Sequence, residues 1–477
     1  MTATHPTFAP RLLALPAGVI KARGYTPLLR CAREMGTLVL TASPIVLIGL
    51  LNMAMSIMDV VMLGQHDPNG LTAAVVVSDL YSILFNFSAG FAGMVAPQVA
   101  AAIGAEVRCH VYTIVRRAIL LVLALAGVGA SILLLLPAVL EAAGFRQLGL
   151  AAAYTRFMAG TFIFMLLFAV ARTALSAMGR PGPALLAIVV ALPVKAVTNY
   201  AFIWGAWGAP ELGVAGAGLG SLMAAAVMAG AATVSLFLSR SRSEFDRAKA
   251  PPLALSGMWP ATRTGLLLGL VALSETGMFL ASTMLVGLFA PQDLIAHTLA
   301  FRSMAFLYLL LTGLGQSVTV RVAFLQARAM RKAEVHALRA VIWCSLALAA
   351  CVLLVLVVGA DAVAHALTPM AQAEAVLTRS IAELLSIAGL TLAAMIPGHL
   401  ITALLRARNN IVVPTCISLT SYWGMSLTTM LMLAGTGHGA RGIWLGLLLG
   451  ALTCSACFAT YVRRCGSPML RLLGRTS

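Results

Sequence analysis

Two carboxylic acids stand inside long apolar stretches of the sequence, where ionisable side chains are rare. Asp59 falls near the end of one stretch, and Glu275 lies about a dozen residues into another. Such a group costs about 2.5–3.5 kcal/mol on membrane-insertion scales, so each is a candidate for function. A carboxylate shielded from water can take up and release a proton as its cavity opens, or it can bind Na⁺ with neighbouring oxygen atoms. Either chemistry couples an ion gradient to a conformational change, so we predict that both are ion-coupling residues.

A third charge, on Lys195, falls in the middle of another apolar stretch. Its ammonium group could attract an anionic part of a substrate, or it could neutralise a carboxylate in the same half of the chain, such as Asp59. The sequence leaves both interpretations open. His297 and His399 also fall in apolar stretches, and lone histidines in such places more often pack or form hydrogen bonds than relay protons.

The composition indicates which elements must position these groups. The 477 residues are 61% hydrophobic and 10% charged, with a mean hydropathy of +0.97. Soluble domains carry about 25% charged residues, so this chain needs a membrane as solvent. Its apolar runs are long and continuous, whereas transmembrane barrels show segments of about 10 residues with alternating polarity. Helices are the other way to satisfy every backbone group in lipid, and about 20 residues per span predict twelve of them.

The formal net charge of +17 could suggest a nucleic-acid partner. The lysines and arginines instead lie in alternate loops between apolar stretches, which is the pattern that orients membrane proteins. We therefore expect no nucleic-acid partner. The alternation predicts an even number of spans with both termini in the cytoplasm of a bacterium, and places the protein in the inner membrane as a multi-pass protein.

The chain also resembles itself at an offset of 223 residues, with identical residues at Gly64 and Gly287 and at Pro68 and Pro291. Six spans separate equivalent positions, so the halves are parallel repeats, as in many transporters. The predicted division is an N-terminal tail (1–35), an N-lobe (36–238), a linker (239–263), a C-lobe (264–462) and a C-terminal tail (463–477). Glu275 falls on Asn52 of the first half, which makes Asn52 a candidate neighbour of the substrate or proton site.

The same offset relates opposite charges at Asp79 and Arg302. If the second and eighth spans face each other, the two side chains could pair when the outer side is closed. We predict them as an external gate. The alternative is that each forms separate contacts within its own lobe.

Several motifs together resemble the multidrug and toxic compound extrusion (MATE) family, and its bacterial branch in particular. The likeness runs from about Gly36 to Tyr461. The motifs are Pro44, Asn52, Asp59 and Gly64 of the first span; Leu71-Thr72-Ala73-Ala74; Gly179-Arg180-Pro181; and Asn199-Tyr200-x-Phe202-Ile203-x-Gly205-x₂-Gly208-x-Pro210-x-Leu212-Gly213-Val214-x-Gly216-Ala217.

The resemblance implies an all-α polytopic membrane protein with twelve transmembrane helices in two pseudo-symmetric six-helix bundles. It also implies export of small organic compounds in exchange for H⁺ or Na⁺ by alternating access. Asp59 matches the family's carboxylate in the first span, and Glu275 matches its carboxylate in the seventh. Asn199 and Tyr200, with Lys195, become candidate neighbours of the substrate or proton site.

The chain departs from the family pattern at two positions. Met395 stands where Na⁺-coupled members often carry an acidic residue, so the resemblance favours H⁺ as the coupling ion and leaves Na⁺ open. Lys195 stands where the family tends to have asparagine, so the charge of the substrate stays open. We expect no cofactor and no bound metal, and partners limited to the lipid bilayer and a small organic substrate for a monomeric protein.

Two other classes of function compete with an exporter. A flippase for a lipid-linked oligosaccharide or another amphipathic anionic precursor would favour several basic residues in its cavity, and the sequence offers only Lys195, Arg302 and Arg172. A membrane enzyme would need a metal cluster, a nucleotide-binding loop or a nucleophile with its base, and the sequence contains none of these signals. The sequence therefore favours a transporter over an enzyme.

Overall fold

The computed structural model describes residues 27–66, 68–107, 109–142, 152–238, 257–368 and 375–464. Most of the predicted tails and linker (1–26, 239–256 and 465–477) lies outside these residues, so those assignments stay predictions.

The regular elements of the described residues are helices. The α-helices are α1 Pro27–His66, α2 Pro68–Ala92, α3 Val95–Gly104, α4 Cys109–Ala142, α5 Ala152–Ala177, α6 Gly182–Trp204, α7 Val214–Leu238, α8 Met258–Phe289, α9 Leu294–Ala327, α10 Arg331–Leu353, α11 Ala360–Leu367, α12 Ala375–Ala407, α13 Val412–Leu419, α14 Leu427–Gly435 and α15 Gly439–Arg464.

Eleven helical segments in the described part of the chain are long and apolar enough to cross a membrane. The remaining predicted span, near residues 411–434, consists of α13 and α14 joined by the π-helical segment Thr420–Ser426. A π-helical turn inserts an extra residue into the helical ladder, so the span stays helical but is divided into two short α-helices. The predicted fold class of twelve transmembrane helices is confirmed. The orientation of the termini stays a prediction.

The chain forms two compact units, each containing parts of α1 and α8. Among the described residues, unit 1 contains those from 43 to 238 and from 257 to 269, and unit 2 contains those from 27 to 42 and from 270 to 464. Helix α1 therefore passes from unit 2 to unit 1 at Ala42–Ser43, next to Pro44, which lies inside the helix. The predicted lobes (36–238 and 264–462) place every span entirely in one half. This division stays a prediction.

In unit 1, glycines hold the first part of α8 close to α2. A Cβ atom added to Gly265 would lie 2.6 Å from the Phe91 ring, and one added to Gly269 would lie 2.8 Å from the Phe87 carbonyl oxygen. Small residues at helix contacts allow this close approach in membranes, where no hydrophobic force drives helices together.

In unit 2, polar contacts attach the first part of α1 to α9. The guanidinium group of Arg321 donates to both carboxylate oxygens of Glu34, over 2.8 Å and 3.1 Å. The hydroxyl of Ser317 donates to the carbonyl oxygen of Leu38 over 3.0 Å. Arg321 is buried, and a bidentate pair of this kind fixes orientation as well as distance.

Candidate functional site

Asp59 is the centre of a buried polar cluster in unit 1. Its Oδ2 atom lies 2.6 Å from the Lys195 ammonium nitrogen, and its Oδ1 atom accepts a hydrogen bond from the Asn199 side-chain amide over 2.8 Å. The hydroxyl of Ser221 lies 3.4 Å from Oδ2. Both carboxylate oxygens therefore have donors, and one of these donors carries a full positive charge.

The geometry of α6 and α7 explains how these donors meet one carboxylate. Lys195 and Asn199 are four residues apart on α6, so their side chains lie on the same helix face, one turn apart. On α7, a Cβ atom at Gly220 would overlap the Asn199 carbonyl oxygen Oδ1. Glycine at this position lets α6 approach α7 closely enough for the Asn199 amide to turn its donor towards Asp59.

The ion pair between Asp59 and Lys195 is largely shielded from solvent. Lys195 is 5% exposed and Asn199 is 0% exposed, while the Asp59 side chain keeps 17% of its surface. Tyr154 of α5, which interacts electrostatically with Asp59, is also buried, and its hydroxyl lies 3.0 Å from that of Ser78 on α2. Of the two interpretations of Lys195 that the sequence left open, the structure shows the one in which Lys195 neutralises Asp59.

Glu275 is the centre of a second buried cluster, in unit 2. It is 6% exposed, and its Oε2 atom accepts a hydrogen bond from the hydroxyl of Tyr308 over 2.7 Å. The Nδ1 atom of His399 lies 3.3 Å from the same oxygen, although its direction falls outside hydrogen-bond geometry. Helices α8, α9 and α12 thus bring a carboxylate, a phenol and an imidazole together.

Arg406 adds a positive charge to this second cluster. It lies in the last turn of α12, and its guanidinium group interacts electrostatically with both Glu275 and Tyr308. Its Nε atom is buried and has no hydrogen-bond partner among the described residues. Long arginine side chains can keep their stem along one surface while the charged end reaches another, so a residue at a helix end can influence a site deeper in the unit.

The other sequence-predicted residues lie apart from the two clusters. The amide of Asn52 donates to the carbonyl oxygen of Ile48 in its own helix. Tyr200 is 48% exposed and packs against Trp204 and Trp207, with ring centroids 5.5 Å and 5.3 Å away. Met395 is buried in the hydrophobic core of unit 2.

The structure does not test the predicted external gate of Asp79 and Arg302. Asp79 belongs to unit 1 and Arg302 to unit 2, and both side chains are exposed. Their pairing stays a prediction.

The sequence favoured packing or hydrogen bonding over proton relay for both histidines, and the structure gives them different surroundings. The ring of His297 lies between the hydroxyl of Thr283 and the indole of Trp444, which donates to it over 3.1 Å. His399 lies beside Glu275. A usable signal was present: His399 follows Met395 by four residues, so it shares a helix face with the position where an acidic residue was expected.

The residues that the structure describes hold no group of three or more histidine, cysteine, aspartate or glutamate side chains placed to bind a metal. The clusters around Asp59 and Glu275 combine one carboxylate with cationic or hydrogen-bond-donating side chains. Such side chains can pair charges and form hydrogen bonds.

Comparison with known proteins agrees with the motif resemblance. The family model for MatE matches residues 44–201 and 268–432, which together make up about two thirds of the chain. The two matched segments begin 224 residues apart, close to the 223-residue offset at which the sequence resembles itself.

Individual relatives match over almost the whole chain. A protein described as "Probable multidrug resistance protein NorM" from Streptococcus pneumoniae is 26% identical over 90% of this chain and 95% of its own. Another with the same description, from Bradyrhizobium diazoefficiens, is 29% identical over 86% of this chain and 89% of its own. Among solved structures, an outward-facing "multidrug resistance MATE family transporter of the MOP superfamily" covers 98% of this chain and 99% of its own, with 16% identity and a TM-score of 0.80, which shows a shared fold.

Proposed function

The chain belongs to the MatE family, and on this premise we propose that it is a secondary antiporter that exports small organic compounds in exchange for protons. The bacterial relatives described as multidrug resistance proteins support efflux as its task. The chain is a multi-pass membrane protein, and its bacterial relatives are consistent with the inner membrane.

The surroundings of Glu275 are the main support for a proton as the coupling ion. A buried carboxylate faces a phenol hydroxyl at 2.7 Å and an imidazole nitrogen at 3.3 Å, so a proton bound there has neighbours that can share it. Hard metal cations prefer several oxygen ligands, whereas Glu275 faces one phenol oxygen and an imidazole nitrogen. Met395 also replaces the acidic side chain that would add oxygen ligands. These features favour H⁺ over Na⁺.

The proposed cycle follows from differential binding. Protonation from outside neutralises Glu275, the helices around it rearrange, and the bound compound is released outward. The empty, protonated protein turns inward, loses the proton to the cytoplasm and binds a new compound. This cycle requires that the compound and the proton favour different conformations, because a ligand with equal affinity for two states shifts neither.

The test uses purified protein in liposomes. Efflux is measured for ethidium as a cation, norfloxacin as a zwitterion and sulforhodamine as an anion, driven separately by a pH gradient and by a Na⁺ gradient. We expect a pH gradient alone to drive at least one of the probes. We expect Glu275→Gln, which keeps the side-chain shape but cannot exchange a proton, to lower that efflux by about tenfold or more.

Glu141→Gln is the matched control, because it changes an exposed carboxylate of α4 and should leave efflux unchanged. Efflux that responds only to Na⁺, or that survives in Glu275→Gln at the wild-type rate, would contradict proton coupling through Glu275. If folded protein moved none of the probes under either gradient, export of diverse compounds would be rejected, and the flippase for a lipid-linked anionic precursor would gain weight.

A further inference from the structure

The position of Lys195 has a consequence for what unit 1 can bind. A buried carboxylate that faces open space attracts organic cations and protons, because either would supply the missing positive charge. In this protein Asp59 already has a cation at 2.6 Å, held by the same polypeptide. The side chains of this pair are 6% and 17% exposed, so solvent screens their attraction only weakly.

We propose that Lys195 is the specificity-determining residue of the unit 1 site: as a built-in counterion of Asp59 it excludes organic cations, so the site takes compounds with no net positive charge. This inference rests on the proposed export function and names the class of compound that the exporter selects.

Three features of the cluster support this assignment. First, the amide of Asn199 and the ammonium group of Lys195 already occupy different oxygens of Asp59, which leaves a competing cation little of the carboxylate. Secondly, Asn199 is fully buried, and the absence of a side chain at Gly220 leaves the space that its amide occupies. Thirdly, a cationic compound entering the site would have to approach the charge of Lys195 in a poorly solvated place, which is unfavourable.

Lys195 can also act as a donor to a bound compound. An ammonium group has three N–H donors, and among the described residues Asp59 is the only acceptor recorded for it. A carboxylate, sulfonate or carbonyl group of a substrate could accept one of the remaining hydrogens. Neutral, zwitterionic and anionic compounds that are rich in acceptors therefore suit the site better than amines whose positive charge is not balanced within the compound.

The groups that face Asp59 define which charges a bound compound would meet. The charged or titratable groups are Lys195 on α6 and Tyr154 on α5, while Asn199 and Ser221 supply neutral donors from α6 and α7. With its counterion present, the charge of Asp59 is balanced within the protein. Without it, an organic cation can take the place of the Lys195 ammonium group beside Asp59.

The experiment measures binding to purified protein in detergent, which needs neither a gradient nor transport. Ethidium and norfloxacin are titrated into wild type and Lys195→Asn, the residue that the family tends to have here. Lys332→Asn is the control, because it removes one positive charge from an exposed position of α10. Lys195→Asn combined with Asp59→Asn shows whether any new binding depends on Asp59.

We expect wild type and Lys332→Asn to bind norfloxacin about tenfold or more tightly than ethidium. Lys195→Asn should bind ethidium at least about tenfold more tightly than wild type, and this gain should vanish in the double variant. The proposal would be overturned if the Lys195→Asn protein elutes and unfolds like wild type but binds ethidium no more tightly than wild type does.

Wild type provides a second test that does not depend on any variant folding. If it binds ethidium more tightly than norfloxacin, Lys195 does not exclude cations and the proposal fails. The transport measurement is separate: protein that shows the expected binding but no gradient-driven efflux would overturn the proposed function and leave the role of Lys195 standing.

Discussion

Breaking the Asp59–Lys195 pair should cost far more stability than removing it as a whole. Asp59→Asn leaves the Lys195 ammonium group buried without its counterion. Loss of one partner from a buried ion pair costs about 3–5 kcal/mol, because the remaining charge is left uncompensated. The Asp59–Lys195 pair qualifies as a buried ion pair, because its charged atoms are 2.6 Å apart and the Lys195 side chain is only 6% exposed.

Lys195→Asn should cost less than Asp59→Asn. Asp59 keeps the Asn199 amide and Ser221 hydroxyl as donors, and 17% of its side chain stays exposed. The double variant carries no buried charge at either position, and neutral replacement of a buried pair is often close to neutral in free energy. We therefore expect the double variant to lie within about 1 kcal/mol of wild type, with strong coupling between the two changes.

The assay is equilibrium unfolding of the purified protein by SDS in mixed micelles, followed by tryptophan fluorescence, for all four members of the cycle. Glu211→Gln is a control for breaking a pair that water reaches, since Glu211 lies 3.3 Å from His66 but its side chain is 63% exposed. Solvent screening makes such pairs worth little, so its unfolding curve should match wild type. The reasoning is refuted if Asp59→Asn costs less than about 1 kcal/mol, or if the effects of the two substitutions simply add.

Three further substitutions test close contacts in the two units. Gly220→Ala places a methyl group on the Asn199 carbonyl oxygen and should cost about 1–3 kcal/mol in the same unfolding assay. Gly315→Ala places one 2.9 Å from the His399 ring nitrogen, so it should displace that ring from Glu275 and lower pH-driven efflux severalfold in liposomes. Arg321→Ala leaves the partly buried Glu34 without its bidentate partner and should lower the free energy of unfolding by about 3 kcal/mol.

Control substitutions at open or exposed positions show whether the losses come from the named contacts or whether any substitution in these helices lowers stability. A Cβ atom at Gly230, on the same helix as Gly220, or at Gly287 would meet nothing within 4 Å. Both alanine variants should keep wild-type stability or gain slightly, since alanine favours helix over glycine. Arg379→Ala removes an arginine that is 84% exposed and should leave stability unchanged. If these controls lose as much as their counterparts, the contacts described here do not explain the losses.

The membrane architecture was predictable because the residues of each span are enough to identify it. A continuous apolar run of about 20 residues indicates a transmembrane helix whatever its neighbours are. This holds even where the helix is irregular: the span around residues 411–434 is present, although its π-helical segment Thr420–Ser426 was not expected. The distribution of α1 between the two units was not predictable, since it depends on tertiary contacts such as those of Glu34 and Leu38.

The functional clusters were predictable in part, for a related reason. Asp59, Glu275 and Lys195 stand out because a charge in an apolar stretch is costly by itself. The roles of Tyr308 and His399 depend on how α9 and α12 pack against α8, which a single sequence does not reveal. The role of Arg406 was not recognised for another reason. It lies beside a basic loop and was counted as an orientation signal, whereas its charge also interacts with Glu275.

The two clusters together suggest how a duplicated transporter can divide its tasks. Asp59 in unit 1 and Glu275 in unit 2 each lie on a helix that is divided between the two units along the chain, yet their neighbours differ. Asp59 has a permanent cation of its own, whereas Glu275 has an imidazole and a phenol that can share a mobile proton. We therefore expect coupling to follow Glu275 and selectivity to follow Lys195: Glu275→Gln should abolish pH-driven efflux without altering the order of probe affinities, and Lys195→Asn should alter that order in binding measurements without any gradient.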